Sequence, residues 1–278
     1  MLTIAEAVRR GTRQLGSQPE VARDAEMLLM HALHLGRAAV FAHPERFLTA
    51  EQEQHYAALL AQRMRALPMQ YITGEQEFFG LRFRVTPDVL IPRPETEHLV
   101  EAVLERLPHD RPVAIADVGT GSGAISVALA HALPLAHVAA LDLSGDALLI
   151  ARENAAAHDV GGRLRFEQSD LLDAVADQTF DAVVSNPPYL AFAERAALHE
   201  QVRAFEPAMA LFAGETGLEI YERLIPQAAG VLRPGGLLAL EIGFGQRESI
   251  SHLLQDWQNV SFVDDLQGIP RVALALRK

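Results

Sequence analysis

From Pro112 onward, short apolar runs alternate with longer stretches in which apolar residues recur at helical spacing. This alternation predicts βαβ units, whose parallel strands form one sheet with helices packed on both faces. We therefore expect an α/β fold with a mainly parallel sheet. The seven predicted strands are residues 113–118, 138–143, 164–167, 180–185, 237–242, 260–263 and 272–276. The helices predicted among them include residues 124–133, 146–158, 217–231 and 246–257.

The beginning of the chain carries helical patterns instead. Thr3 with Glu6, and Thr49 with Gln52, have the spacing of a capping box, in which each side chain binds the backbone N–H of the other residue. They predict helices that end near residues 15 and 67. A further helix is predicted over residues 19–35 because its apolar residues repeat with a period of three to four. These helices predict a small bundle.

A change of pattern separates the two parts. Residues 78–85 alternate in polarity and include aromatic and β-branched residues, which predicts a short β-hairpin. With 278 residues, the chain suits one large and one small domain. We expect a helical docking domain at residues 1–75, a linking β-hairpin at 76–92 and the α/β domain at 93–278.

Composition narrows the class of protein. The formal net charge of −12 disfavours a protein that binds by neutralising phosphates, because each such contact needs Lys or Arg. Cysteine is absent, so a disulfide, a thiolate metal site and a cysteine nucleophile are excluded. We expect no metal. No segment has the apolar length of a membrane helix or the pattern of a signal peptide, so we expect a cytoplasmic protein without membrane contact.

A glycine-rich loop follows the first predicted strand of the sheet. Its residues are Gly119, Thr120, Gly121, Ser122 and Gly123, and it opens directly into a helix. Glycines at this junction allow a tight turn and close approach of a ligand to the backbone. The spacing can be fitted to the dinucleotide fingerprint, but Gly123 and the acidic Asp117 before the loop favour adenosylmethionine over NAD.

Acidic residues after the next two strands complete the predicted nucleoside site. Asp142, beside Leu143, ends the second strand and is placed to accept hydrogen bonds from both ribose hydroxyls. Asp170 follows the third strand, and its carboxylate is expected either to accept from the adenine amino group or to cap the next helix. Leu171 is expected to supply an apolar contact to the adenine ring.

The segment Asn186, Pro187, Pro188 and Tyr189 follows the fourth strand and indicates the chemistry. Two prolines remove two backbone donors, which leaves the Asn186 side-chain oxygen and the Pro187 carbonyl as acceptors. Acceptors in this arrangement suit a planar NH₂ group, whose nitrogen they orient for attack on a methyl group, while Tyr189 stacks on the plane. A rigid turn is the alternative. It is disfavoured at the strand end where open α/β sheets place their sites.

The glycine loop and Asn186–Pro187–Pro188–Tyr189 resemble those of methyltransferases that modify adenine, cytosine or glutamine nitrogens. Nearly the whole chain further resembles the peptide chain release factor glutamine methyltransferase (PrmC/HemK) family. The segments that carry this resemblance are residues 68–74, 77–80, 91–97, 205–207, 213–218, 240–243 and 268–272.

The resemblance implies a Rossmann-like, class I methyltransferase domain at residues 93–278, with S-adenosyl-L-methionine as cofactor. It implies methyl transfer to the side-chain amide nitrogen, N5, of the glutamine in the Gly-Gly-Gln motif of class 1 peptide chain release factors, which the helical domain helps to bind. By the same resemblance, Gly119–Gly123 and Asp142 hold the cofactor, and Asn186 to Tyr189 hold the glutamine. Leu171 stands where some members carry Trp, which reduces the stacking area for adenine.

Three alternatives remain at this stage. An adenine-specific nucleic-acid methyltransferase faces the same NH₂ geometry, but direct DNA binding is not expected at this net charge. A glutamine methyltransferase acting on a ribosomal protein shares the Asn-Pro-Pro-Tyr segment but differs around residues 92–97. A non-catalytic scaffold is disfavoured because the Asn-Pro-Pro-Tyr segment is complete.

We expect the protein to be a monomer. We also expect a surface or packing role for His31 and His34, and a helix-end role for Glu95 and Glu97.

Overall fold

The computed structural model describes residues 1–16 and 19–278 and divides into two compact units. The first comprises Met1–Gly74 with His199–Phe205, and the second comprises Glu75–Leu198 with Glu206–Lys278. The domain limits predicted at residues 75 and 92 stay predictions.

The first unit is helical. Its helices are α1 (Ile4–Leu15), α2 (Pro19–Leu33), α3 (Arg37–Ala42), α4 (Ala50–Arg63), α5 (Met69–Thr73) and, from the second segment, α9 (Glu200–Phe205). Both predicted capping boxes are present, at Thr3 and at Thr49. The buried faces of α1, α2 and α4 form one apolar core, which includes Leu28, Leu29 and Leu60.

Two of the predicted helices in this unit end early. The chain leaves α2 after Leu33, where His34 adopts a left-handed φ of 52°, rather than at residue 35. It leaves α4 after Arg63 rather than near residue 67, because Ala66 adopts a φ of 62°. A left-handed residue ends a helix, and apolar periodicity does not reveal it. The short helices α3 and α5 were not predicted.

The second unit contains the large sheet. Its helices are α6 (Glu97–Leu104), α7 (Ala124–Ala132), α8 (Gly145–Ala157), α10 (Ala208–Leu211), α11 (Glu219–Val231) and α12 (Arg247–Leu253). Its strands are β1 (Glu75–Phe78), β2 (Leu81–Arg84), β3 (Val113–Val118), β4 (Ala136–Asp142), β5 (Leu164–Gln168), β6 (Phe180–Ser185), β7 (Leu190–Ala191), β8 (Phe212–Gly214), β9 (Leu232–Glu241), β10 (Gln258–Asp264) and β11 (Pro270–Leu276).

The predicted seven-stranded, mainly parallel sheet is confirmed. Its order is β10-β11-β9-β6-β3-β4-β5, and only the pairings of β11 with β10 and β9 are antiparallel. From β3, the chain continues to β4 and β5 on one side and then returns to β6 on the other side of β3. This reversal of direction leaves a crevice at the carboxyl ends of β3 and β6, where open α/β sheets bind ligands.

Each face of the sheet is covered by helices, as predicted. Along β3, Val113 and Ile115 pack into one core cluster, and Ala116 and Val118 pack into the other. The first cluster draws on α6, α7 and α8, and the second on α11 and α12. Burial on both faces explains why the strands are apolar runs without alternation.

The predicted hairpin is present as antiparallel β1 and β2, joined at Phe79 and Gly80, which both adopt positive φ. Several other boundaries differ from the prediction by one or two residues, and two differ by more. Strand β9 begins at Leu232 instead of residue 237, because a register shift against β6 accommodates Pro234 and two glycines. Helix α12 ends at Leu253, so Trp257 lies beyond it, half-buried against the second core cluster.

Candidate active site

A cavity of about 240 Å³ lies at the carboxyl ends of the central strands. The predicted site residues on its wall are Gly119, Gly121, Asp142, Leu143, Asp170, Leu171, Asn186, Pro187 and Pro188. Thr120, Ser122, Gly123 and Tyr189 are not on the wall. The structure thus brings together residues that follow β3, β4, β5 and β6.

The glycine loop presents its backbone to this cavity. Gly119 and Gly121 have φ of 73° and 55°, which glycine adopts without the steric cost borne by other residues. A Cβ atom on Gly121 would meet no heavy atom within 4 Å, so space remains in front of the loop. The loop therefore combines a glycine-dependent turn with room for a ligand.

Asp117 holds the loop from beneath. Its Oδ2 accepts from the Thr120 hydroxyl at 2.7 Å, from the Ser126 hydroxyl at 2.6 Å and from the Ser126 N–H at 3.1 Å. Complete burial raises the pKa of Asp117 to about 6. Its Oδ1 is also buried and has no hydrogen-bond partner among the residues the structure describes. Thr120 thus supports the loop from behind.

Gly123 and Ser122 attach the loop to helix α8. Gly123 has a φ of 80°, and a Cβ atom there would lie 3.1 Å from the Cβ of Ala151. The Ser122 carbonyl accepts from Asn154 Nδ2 at 2.8 Å. These two residues position the loop without reaching the cavity.

Asp142 is fixed by backbone donors on both oxygens. Oδ2 accepts from the Gly121 N–H at 2.8 Å, and Oδ1 accepts from the Ser144 N–H at 2.9 Å. Each carboxylate oxygen has a second lone pair, so both can accept another hydrogen bond. Burial raises the pKa of Asp142. Leu143 beside it is exposed at the rim of the cavity.

Asp170 and Leu171 lie on the wall in the turn after β5. Asp170 Oδ2 accepts from Arg223 at 2.7 Å, and both side chains are about half-exposed. The following turn is capped by Ser169, whose hydroxyl accepts from the Ala174 N–H at 3.0 Å. Leu171 adopts a positive φ of 53°, a backbone conformation that is rare for leucine.

Asn186 is anchored through its amide nitrogen. Strand β6 ends at Ser185, whose hydroxyl donates to the Val118 carbonyl at 2.7 Å and ties the ends of β6 and β3 together. Asn186 Nδ2 donates to the Thr96 hydroxyl at 3.1 Å. Because Thr96 is buried, this contact holds Nδ2 inside the protein and leaves the amide oxygen as the free acceptor.

Tyr189 lies behind the cavity rather than on its wall. Its ring packs against the second core cluster, and burial raises the pKa of its phenol. Its carbonyl accepts from Gln246 Nε2 at 3.0 Å. A Cβ atom on Gly217 would come 2.5 Å from the same carbonyl oxygen, so glycine is required there. Tyr189 is not among the residues that line this cavity, and its stacking on the substrate stays a prediction.

Sequence reasoning missed several contributors to the site. Thr96 lies 90 positions before Asn186, and no local pattern links the two. Gln246 joins three loops, since it also accepts from the Gly243 N–H at 2.9 Å and donates to the Gly217 carbonyl at 3.2 Å. The remaining unpredicted wall residues are Asp88, Val89, Leu90, Val118, Ser144, Ala147, Ser169, Ser185, Pro207, Met209, Ala210, Ile220 and Arg223.

Charged residues near residue 95 have structural partners. Glu97 Oε1 accepts from the Phe79 N–H at 2.8 Å and so holds the turn of the hairpin. Arg93 donates to the buried Glu206 at 2.5 Å, which also accepts from the Ile91 N–H at 3.3 Å. Glu206 precedes Pro207 on the cavity wall, so this ion pair helps to shape the wall.

Among the described residues, no cluster of three or more His, Asp or Glu side chains could hold a metal ion. His31 contacts the rings of His34 and His55, each at 6.2 Å between centroids.

Comparison with known protein families identifies two matching domains. Residues 6–74 match the PrmC N-terminal domain, and residues 96–208 match the methyltransferase small domain. The two matches cover the helical bundle and the part of the chain that contains the glycine loop and Asn186.

Similar proteins span nearly the whole chain. The release factor glutamine methyltransferase of Koribacter versatilis is 44% identical over 276 residues, which are 98% of this chain and 98% of that protein. The enzyme of the same name from Moorella thermoacetica is 43% identical over 278 residues, covering 99% and 97% of the two chains. A solved structure, the ribosomal protein L11 methylase of Lactobacillus delbrueckii subsp. bulgaricus, matches 70% of this chain and 86% of its own. Its TM-score is 0.52 and its sequence identity 25%.

Proposed function

This chain belongs to the release factor glutamine methyltransferase family, and we propose that it methylates N5 of the glutamine in the Gly-Gly-Gln motif of class 1 peptide chain release factors. The proposal rests mainly on the geometry of Asn186 at the end of β6. Its amide nitrogen donates to the Thr96 hydroxyl, and its amide oxygen stays available as an acceptor. The class I methyltransferase fold and the family resemblance expected from the sequence are confirmed.

The residues on the cavity wall fit S-adenosylmethionine, the cofactor of this family. The open space at Gly121 admits a ligand against the backbone, and the free lone pairs of Asp142 suit a pair of ribose hydroxyls. Leu171 and Met209 offer apolar contact for a base. When bound, the cofactor supplies an activated methyl group.

The protein's own contribution is to hold the acceptor nitrogen. We assign Asn186 Oδ1 and the Pro187 carbonyl as the acceptors of the two N–H groups of the glutamine amide. Accepting both hydrogens fixes the plane of the amide and moves electron density onto N5. Pro187 and Pro188 carry no N–H, so no competing backbone donor lies at these two positions.

The methyl transfer itself requires little from ionisable side chains. With the cofactor bound, Asn186 Oδ1 and the Pro187 carbonyl would hold N5 oriented toward the methyl group that the cofactor supplies, and the proton that N5 loses on methylation would pass to solvent. The apolar wall residues Val89, Leu90 and Met209 reduce the access of water to this site, which strengthens the hydrogen bonds to the amide. The proposed role of Tyr189 remains stacking on the plane of the amide.

Two other acceptors are less well supported. An adenine amino group has the same NH₂ geometry, but the net charge of −12 does not suit a nucleic-acid substrate. A glutamine of a ribosomal protein is the other alternative acceptor, and the Lactobacillus structure, which is named a ribosomal protein L11 methylase, resembles this chain less closely than the release factor enzymes do. No helix in the described part of the chain is long and apolar enough to cross a membrane. The cytoplasmic location, the monomeric state and the absence of direct DNA binding stay predictions.

The proposal is tested by incubating the purified protein with methyl-labelled S-adenosylmethionine and three acceptors. These are a class 1 release factor, the same factor with its motif glutamine changed to alanine, and unmethylated DNA. We expect label only in the unchanged release factor. Label in the alanine variant would place the methyl on another residue, and label in DNA would identify an adenine methyltransferase.

A further inference from the structure

The segment from Asn186 to Tyr189 is anchored differently at its two ends. At its beginning, the side chains of Ser185 and Asn186 bind the Val118 carbonyl and the Thr96 hydroxyl. Within it, neither proline has an N–H group that could attach the backbone to a neighbour. After it comes β7, which has only two residues and pairs with β8 across a register shift. Such a short strand pair adds little stability by itself, so the far end depends on other contacts.

The side-chain amide of Gln246 makes such a contact. Its Nε2 donates to the Tyr189 carbonyl at 3.0 Å and to the Gly217 carbonyl at 3.2 Å. Its Oε1 accepts from the Gly243 N–H at 2.9 Å. All three partners are backbone groups, so the two carbonyls require the NH₂ group and the N–H requires the oxygen. The chemistry of the partners therefore determines which way this amide points.

Two glycines leave the space that the Gln246 amide occupies. A Cβ atom on Gly217, whose φ is 81°, would come 2.5 Å from the Tyr189 carbonyl oxygen and 3.1 Å from Gln246 Nε2. A Cβ atom on Gly243 would come 2.8 Å from Gln246 Oε1 and 3.0 Å from Tyr189 Cδ2. Packing this close leaves the amide and the carbonyl little room to shift.

The backbone of Gln246 is fixed as well. Its N–H donates to the Gly243 carbonyl at 3.2 Å, and its carbonyl accepts from the Ile250 N–H at 2.9 Å, in the first turn of α12. Ile250 is fully buried in the second core cluster. The Gln246 side chain therefore extends from a rigid base toward the end of the segment.

From these contacts we infer that Gln246 is a positioning residue for methyl transfer, which fixes the Pro187 carbonyl by holding the Tyr189 carbonyl two residues further along. Gln246 is not on the cavity wall, so it acts through the segment and not on a ligand. The Pro188 ring fixes one of the rotations between the two carbonyls and restricts Pro187 to extended conformations. A shift of the Tyr189 carbonyl is therefore passed on to the Pro187 carbonyl.

The inference rests on the proposed function. The Pro187 carbonyl is one of the two acceptors assigned to the glutamine amide, and its position matters only if the substrate presents N–H groups. Gln246 would thus set one acceptor, while Thr96 holds the other through the Asn186 amide.

The first test removes the hydrogen bonds of the Gln246 amide and keeps the length of the side chain. Gln246→Met cannot donate to the two carbonyls, and we expect kcat toward the release factor, counted per cofactor-binding site, to fall roughly 100-fold. The Kd for S-adenosylmethionine, measured by calorimetry, should be nearly unchanged because the glycine loop and Asp142 are intact. Gln255→Met, at an exposed position, is the matched control and should keep the wild-type kcat.

The second test displaces the same carbonyl from another direction and remains informative if Gln246→Met does not fold. In Gly217→Ala the new methyl group would press on the Tyr189 carbonyl, and we expect a similar loss of kcat. Gly245→Ala is the matched control, since Gly245 has nearly the same φ, 78°, and a Cβ atom there would meet no heavy atom within 4 Å. Both variants bear the strain of a side chain at left-handed φ, so only the contact with Tyr189 distinguishes them.

NMR spectroscopy follows the Tyr189 carbonyl directly. Tyr189 is the only one of the four tyrosines that precedes a leucine. Labelling tyrosine with ¹³C at the carbonyl and leucine with ¹⁵N therefore gives a single cross-peak, from the peptide bond between Tyr189 and Leu190. We expect this cross-peak to move in Gln246→Met and in Gly217→Ala, and to keep its position in Gly245→Ala.

Several outcomes would overturn the inference. They are a wild-type kcat in Gln246→Met, an equal kcat in Gly217→Ala and Gly245→Ala, or a fall in kcat without movement of the cross-peak. A matching loss of cofactor affinity in Gln246→Met would also overturn it, because that loss would show a general structural role. Failure of the wild-type protein to label a release factor would instead overturn the proposed function, and the cross-peak would still report whether Gln246 holds the carbonyl.

Discussion

The glycine loop and the Asn186 segment follow neighbouring strands, yet residues at very different distances along the chain hold them. The loop depends on Asp117, Ser126 and Asp142, all within about 25 positions of one another. Asn186 depends on Thr96, which lies 90 positions earlier in the chain. The cofactor side of the cavity is thus built locally, and the acceptor side is assembled by the fold.

The two sides of the cavity differ in the sequence information that they require. Backbone N–H groups and glycine conformations form the cofactor side, and these are encoded in a short motif. The acceptor side needs one amide to have a defined orientation, which a motif cannot specify because the orientation depends on the neighbours of the amide. The two sides should therefore respond differently to substitution.

The largest effect is expected on the acceptor side. Asn186→Ala removes one of the two acceptors for the substrate amide, which should raise the barrier to methyl transfer by roughly 2–4 kcal/mol. Binding of S-adenosylmethionine, measured by calorimetry, should be nearly unchanged, and the exposed Gln255→Ala should match the wild type in both assays. Near-normal turnover in Asn186→Ala would remove Asn186 from the mechanism.

The reverse pattern is expected on the cofactor side. Asp142→Ala removes the carboxylate assigned to the ribose hydroxyls and the acceptor of the Gly121 N–H. We expect a loss of about 1.5–3 kcal/mol in cofactor affinity, which is roughly 10- to 150-fold in Kd. The highly exposed Asp256 provides the control, Asp256→Ala. An unchanged Kd would mean that Asp142 only supports the loop.

Gly123 tests the structural part of the loop. Its left-handed φ and its 3.1 Å approach to Ala151 leave little room for a side chain. Gly123→Ala should lower the free energy of unfolding by about 1–2 kcal/mol, measured by urea denaturation. Gly162 has neither a positive φ nor a close neighbour, so Gly162→Ala should leave stability almost unchanged or raise it slightly. Equal effects of the two variants would contradict the packing role of Gly123.

The smallest effect is expected at the rim of the cavity. Arg223 and Asp170 form an ion pair in which each side chain is 48% exposed, and such pairs contribute less than about 1 kcal/mol. Arg223→Ala should therefore change the Kd for S-adenosylmethionine by no more than about fivefold. A much tighter cofactor complex would show that Arg223 competes for Asp170, and a much weaker one that Arg223 itself contacts the ligand.

The contrast between local and long-range contacts also explains which parts of the fold and of the site could be predicted from the sequence alone. Residues 113–118 and 180–185 were predicted as strands with the boundaries that the structure shows, because both are long apolar runs closed by turn residues. The wall positions of Gly119, Gly121 and Asp142 were also expected, since a strand, a glycine loop and an acidic residue form a local pattern.

Long-range contacts account for what the sequence did not reveal. The role of Thr96 depends on contacts that only the folded sheet creates. Gln246 and Gly217 constrain the backbone at Tyr189 through contacts that no local pattern reveals, and the stacking role of the Tyr189 ring stays a prediction. Left-handed residues such as Ala66 end helices without any glycine to mark the position.

The most direct test of the central claim is tandem mass spectrometry of the release factor after reaction with the wild-type protein. We predict the mass of one added methylene group on the motif glutamine, with fragment ions that locate it on the side-chain amide nitrogen. The same peptide should be unmodified after reaction with Asn186→Ala. A methyl group on a different residue, or an unmodified release factor beside a methylated nucleic acid, would contradict the account.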